Sequence, residues 1–207
     1  MICHRFRTIF VHIPKAGGQS IEQVFLERMG RSWQQRAPLL MRENIDPRCG
    51  PERLAHLYAS EYLSCGHVAP IDFDDHFKFA VVRNPWARLV SEYKFAAAGK
   101  GVSFADFLFK WFPAPGLSDR RRHLEPQVKF VCDAGGKPMV DAIVRLESIS
   151  ADIGPVLERV FGVRLALPVA NESPDRRDYR TFYDDKSRAF VADFYRDDIE
   201  LFQFWFD

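Results

Sequence analysis

The stretch TIFVHIPKAGGQSIEQVF, residues 8–25, constrains this chain more than any other. A short apolar run suited to a strand meets Pro14-Lys15, then the pair Gly17-Gly18, then a run whose apolar residues Ile21, Val24 and Phe25 recur at helical spacing. A strand that delivers its end to a tight turn before a helix makes backbone N–H groups and the helix dipole converge on one point. That point attracts an anion. Gly17 and Gly18 let the backbone approach it without a Cβ in the way, and Gln19 and Ser20 supply the first helical N–H groups. The plain alternative is that the glycines only turn the chain and Lys15 is solvated.

The usual nucleotide loop, GxxxxGK[ST], carries its lysine after the glycines and uses its hydroxyl for magnesium. Here Gly18-Gln19-Ser20 keeps the glycine and the hydroxyl, and the cation stands upstream at Lys15. An amine there can bend back over the loop toward the bond that breaks and stabilise charge on the departing oxygen.

Strands and helices alternate along the rest of the chain, which predicts an α/β fold with a mostly parallel sheet. We expect strands over 8–13, 77–82 and 142–146, and helices over 20–29, 51–60, 84–98, 104–112 and 149–161. A helical tail over 183–204 packs Phe190, Phe194, Ile199 and Phe202 on the core. Residues 31–50 read as a loop and 113–122 as a flexible insert. At 207 residues this is one domain.

A balance of 29 basic against 28 acidic side chains leaves a net charge of +1, so no global field recruits nucleic acid. Any anion site must be local. Cys3, Cys49, Cys65 and Cys132 lie far apart without a CxxC pair, which argues for reduced thiols and against a zinc site. No run of about 18 apolar residues offers a transmembrane segment. The N-terminal apolar run is too short for a signal peptide, and Pro-Lys follows it where a cleavage site should be.

A second strand-to-helix junction lies in HFKFAVVRNPWARLVSEYKF, residues 76–95. A magnesium-dependent phosphoryl transferase needs a carboxylate near a strand end there. This strand ends instead in Arg83, which suits a second anion through bidentate hydrogen bonds. Ser91, two turns beyond Asn84, faces the side of the helix start and can share that anion. Ordinary readings stand beside these: Arg83 paired with an acid, Ser91 on a helix surface, Trp86 and Leu89 in the core.

PKAGGQS followed by VVRNPWARLVSEY closely resembles the paired motifs of sulfotransferases that use 3′-phosphoadenosine 5′-phosphosulfate (PAPS), and is similar to the carbohydrate-type branch that includes heparan sulfate 2-O-sulfotransferase. The resemblance implies a three-layer, P-loop-like α/β domain with a central, mostly parallel sheet flanked by helices. It implies that Lys15, Ala16, Gly17, Gly18, Gln19 and Ser20 hold the 5′-phosphosulfate and that Arg83 and Ser91 hold the 3′-phosphate. No metal is required by this scheme. It extends to ANESPDRRDYRTFYDD, residues 170–185, where Asn171 and Ser173 line the donor pocket.

The acceptor hydroxyl, expected on a sugar, must lose its proton as it attacks, so a base should stand opposite the loop. GHVAPIDF, residues 66–73, resembles the family segment that carries a base histidine, which selects His67. The family pattern can show a second histidine two residues earlier, where this chain has Cys65. A histidine capping a turn is the plain reading of His67, and Asp72, Asp74 and Asp75 are further candidates that suit solvated loop carboxylates. His12 reads as a buried, hydrogen-bonded strand residue, while His4, His56, His76 and His123 show no partner pattern. Arg120-Arg121-Arg122 suggests an acidic acceptor or a solvated charge run, and Arg176, Arg177 and Arg180 could close over the 3′-phosphate. A nucleotide kinase or NTPase of related architecture and a non-catalytic binding module remain the alternative functions. Without an anchor or stem in this sequence, the expected setting is cytoplasmic.

Overall fold

The computed structural model describes residues 1–112, 119–165, 167 and 177–207. Its centre is a four-stranded sheet in the order β1 (Ile2–Cys3), β2 (Thr8–Val11), β3 (Phe77–Val82), β4 (Ala142–Arg145). β1 pairs antiparallel with β2, and the other pairings are parallel, with Val11 opposite Ala80 and Val82 opposite Arg145. All four residues of β2 are buried, because a parallel sheet covered on both faces has no solvent side.

Alternate residues of the strands serve two separate cores. Phe10, Phe79, Val81 and Val144 pack with Ile21 and Phe25 of α1 (Gly18–Arg28) and with Ile153 and Leu157 of a later helix, Ile149–Phe161. Ile9, Val11, Ala80 and Val82 pack on the other face with Tyr62 of α2 (Ala59–Ser64), Phe73 of α3 (Pro70–Asp75), Phe130 and Phe202. The result is the three-layer, mostly parallel α/β arrangement that the motifs imply. A third cluster joins Trp86, Leu89 and Val90 of α4 (Pro85–Ala96) to Phe104 of α5 (Phe104–Asp106), and to Val191 and Tyr195. The remaining helices are α6 (Asp119–Arg122), α7 (Val128–Val131), α8 (Ile149–Phe161), α9 (Asp185–Phe194) and α10 (Arg196–Phe202).

Several sequence expectations shift here. No helix spans 51–60: Arg53 bridges Glu43 and the Leu54 amide bonds the Arg42 carbonyl, so that stretch is tied to its neighbour. Only the turn Leu54–His56 precedes α2. Residues 119–122 form α6, and Phe107–Trp111 winds as a π-helix after α5. The tail breaks at Tyr195, whose buried ring donates its hydroxyl to the Leu124 carbonyl; Phe194 is thereby turned out and is 42% exposed. β2 ends at Val11, and His12 and Ile13 lie beyond the ladder yet buried.

Because β2, β3 and β4 run in parallel, the segments that leave them gather at one edge of the sheet. This is where open α/β sheets bind ligands. The Lys15 loop, Arg83-Asn84 and Leu146-Glu147 all stand there.

Candidate active site

Between β2 and α1 the backbone turns through two left-handed residues, Lys15 at φ 66° and Gly17 at φ 81°. Alternation of this kind turns successive N–H groups to one side and forms an anion-binding concavity. No side chain caps α1 at Gly17. The glycines are required by close packing: a Cβ on Gly17 would lie 2.7 Å from Leu146 Cδ1, and one on Gly18 would lie 2.3 Å from His12 Cδ2. His12 is fixed in turn, its Nδ1 2.7 Å from Glu22 Oε1 on α1. That pairing outweighs the upward push of burial and holds the Glu22 carboxyl below its usual range.

The second motif closes on the first. Arg83 Nη1 donates to the Lys15 carbonyl at 3.1 Å, and buried Gln127 grips the Arg83 backbone through both its amide groups. Asn84 caps α4 by accepting from the Trp86 and Ala87 amides. Arg88, only 1% exposed, donates to the carbonyls of Pro14 at 2.9 Å, Glu125 at 2.9 Å and His123 at 3.0 Å. One guanidinium thus ties the loop to the segment after α6.

Lys15 Nζ lies 4.2 Å from the centre of the Phe95 ring, on the final turns of α4. It makes no hydrogen bond or ion pair among the described residues. Burial lowers its pKa, Glu92 opposes this, and Arg83 adds to it. Phe95 stacks on His123, centroids 6.1 Å apart; His123 meets His56 edge-on at 5.0 Å, and His56 meets His12 at 5.3 Å.

Two carboxylates order these rings. His56 Nδ1 lies 2.8 Å from Asp119 Oδ1, His123 Nε2 lies 3.7 Å from Asp119 Oδ2, and His123 Nδ1 lies 2.8 Å from Glu92 Oε2. Burial would raise the Asp119 carboxyl, yet the hydrogen bonds from His123 and His56 hold it well below its usual range. Asp119 and Glu92 together outweigh burial at His123 and raise its pKa. His56 is pushed down to about 4, by burial first, with Asp119 opposing. A carboxylate can only accept, so His56 Nδ1 carries the proton and Nε2 keeps a lone pair. No hydrogen bond engages that Nε2 among the described residues.

The family model of the sulfotransferase family matches residues 1–205. The chain belongs to the sulfotransferase family. No curated protein and no solved structure gives a significant match.

For a sulfotransferase, the placement of the sequence-predicted residues is uneven. Lys15, Ala16, Gly17, Gly18, Gln19, Ser20 and Arg83 share the strand-end edge. Ser91 lies on α4, half-buried. His67 Nε2 is 2.7 Å from the Cys49 carbonyl, and no hydrogen bond or ion pair joins it to the loop among the described residues. Asn171, Ser173 and Arg176 lie outside the described residues. Asp72, Asp74 and Asp75 are on α3, which leads into the N-terminal end of β3, the edge remote from Lys15.

The basic run divides. Arg122 is bidentate to Glu61, with both contacts at 2.6 Å, Arg121 pairs with Glu125, and Arg120 lies over Trp111. Arg180 pairs with Asp178, and Arg177 lies over Phe182. A strand-end carboxylate that sequence reasoning overlooked, Glu147, follows β4 and accepts from the Asn84 amide at 2.8 Å. His56, His123, Asp119, Glu92 and Arg88 were also missed. Glu92 and Arg88 left one signal, as charged residues one turn apart in a helix whose first half is otherwise apolar.

Proposed function

We propose that this sulfotransferase is a single catalytic domain that moves a sulfuryl group from PAPS to an acceptor hydroxyl, on a sugar or glycoconjugate. One observation carries the reading: the Arg83 guanidinium bonds the Lys15 backbone, so the two motif cations serve one place at the strand ends. A donor charged at both ends needs such a pair. The loop amides from Lys15 to Ser20 bind the 5′-phosphosulfate, and Lys15 Nζ neutralises the phosphate oxygen that departs. Arg83 and Ser91 bind the 3′-phosphate.

The acceptor oxygen forms a bond to sulfur as the S–O bond to the 5′-phosphate breaks. The acceptor proton passes to a base, and 3′-phosphoadenosine 5′-phosphate leaves. Two histidines compete for the role of base. His67 is favoured by its motif. His56 is favoured by geometry, with Asp119 behind Nδ1 and a lone pair on Nε2, the arrangement that orients an imidazole to accept a proton.

Calorimetric titration with 3′-phosphoadenosine 5′-phosphate, followed by a sulfate-transfer assay over a panel of hydroxyl acceptors, tests the whole. Binding of the nucleotide and labelled product are expected. Preference for magnesium ATP with no transfer from PAPS would overturn it. His56→Ala and His67→Ala, compared at saturating donor, decide the base: the true base loses kcat with little change in nucleotide affinity.

A further inference from the structure

We infer that His56, Asp119 and His123 form a binding site for a divalent transition-metal ion, and that an ion bound there switches the enzyme off. One ligand atom from each residue lies within 4.8 Å of the others. Asp119 and His123 stand one helical turn apart, and His56 comes from the turn before α2. Metal bonds of about 2.0–2.2 Å place neighbouring ligand atoms about 3.4 Å apart in a tetrahedral set. His56 Nδ1 lies 2.8 Å from one Asp119 oxygen, His123 Nε2 lies 3.7 Å from the other, and the three ligand atoms stay within 4.8 Å, so side-chain adjustments of about 1 Å complete the site.

The surroundings support the ligands. Glu92, 2% exposed, accepts from His123 Nδ1 at 2.8 Å, which aims Nε2 at the ion in the carboxylate–histidine–metal arrangement. Arg88 fixes the His123 carbonyl. Two imidazoles and one carboxylate prefer zinc, cobalt or nickel to magnesium or calcium, which seek all-oxygen sets.

The inhibitory consequence rests on His56 acting as base; the binding itself does not. A metal on His56 Nδ1 displaces the proton from that nitrogen, and the neutral ring then carries its hydrogen on Nε2. The lone pair that would receive the acceptor proton is gone.

The full chain is titrated with Co2+ and followed by visible absorption, and with Zn2+ by equilibrium dialysis and thermal unfolding. One ion per chain is expected, with a raised Tm. D119N and H123Q should weaken binding at least tenfold, and E92Q, which keeps all three ligands, by about tenfold to a hundredfold. The double variant C49S/C65S should bind as the wild type does. Absence of a saturable ion, or unchanged binding in D119N and H123Q shown to be folded by circular dichroism, would overturn the site. Stoichiometric zinc that leaves turnover intact would overturn the switch and the role of His56, and leave both the ion site and the PAPS reading standing.

Discussion

Gly18→Ala separates the packing role of the loop from general helix preference. Gly18 opens α1, and replacing a helical glycine with alanine ordinarily stabilises by about 0.5–1 kcal/mol. Here the added Cβ would sit 2.3 Å from His12 Cδ2 and 2.4 Å from Nε2, where ordinary contact begins at 3.4 Å. The ring must therefore retreat by about 1 Å. It is hemmed in by Phe10, stacked at 5.7 Å, and by the edge of His56, and it is bonded to Glu22 at 2.7 Å.

Overpacking of this kind costs about 1–3 kcal/mol, and leaving a buried hydrogen-bonding group without its partner costs about 1–3 kcal/mol. We expect a net loss of about 3 kcal/mol, which for a chain of this size lowers Tm by about 6–12 °C. Thermal and urea unfolding of Gly18→Ala, His12→Ala and the double variant close the cycle. Without the ring there is nothing to strike, so the double variant should be no less stable than His12→Ala alone. Additive losses, or a Gly18→Ala protein as stable as the wild type, would refute the reasoning.

Lys15→Ala should fold with an unchanged Tm, since among the described residues Nζ makes no hydrogen bond or ion pair and lies over the Phe95 ring, and should lose about 10²–10³ in kcat; equal turnover would reject its role. Arg88→Met leaves one buried and two half-buried carbonyls without this donor and should cost about 3–5 kcal/mol in urea unfolding, with donor affinity and kcat falling together because the loop and His123 both loosen. For His56, a folded pKa of about 4 against 6.5 unfolded means the unfolded chain takes up the proton first as pH falls. Its share of stability is present above pH 6.5 and is lost between 6.5 and 4, by about 3 kcal/mol, so His56→Gln should flatten that part of the stability curve relative to wild type.

What the sequence reveals about this protein divides by the range of the interaction. The strand Phe77–Val82, the Asn84 cap with Pro85 behind it, and the helix Ile149–Phe161 ending at Gly162 are written in neighbouring residues, and they stand where periodicity and capping place them. The failed helix over 51–60 is undone by pairing with residues 42–44, which no local pattern announces. The placement of Lys15 and Arg83 at the strand ends was legible because their backbone setting is local to each motif. The histidine cluster was not, since Asp119 reaches back 63 residues to His56 and His123 reaches back 31 to Glu92.

That long-range cluster also explains why so many charges can be buried at one edge of a sheet. Apart from Lys15, the charged groups named there each have hydrogen-bond partners: Glu22 with His12, His123 between Asp119 and Glu92, Arg88 on three backbone oxygens. Such a network is costly to leave half-made, which fixes its members in place. Among the described residues no hydrogen bond engages Lys15 Nζ, His56 Nε2 or the Nε2 of neighbouring His12. A lysine amine also lies over an aromatic face at Lys78, Lys100 and Lys186, so that contact alone does not single out Lys15; what sets it apart is its place in the loop at the strand ends. Under the proposed sulfuryl transfer, Lys15 Nζ would meet charge on the departing oxygen and an open imidazole nitrogen would accept the proton, both aimed before the substrates arrive.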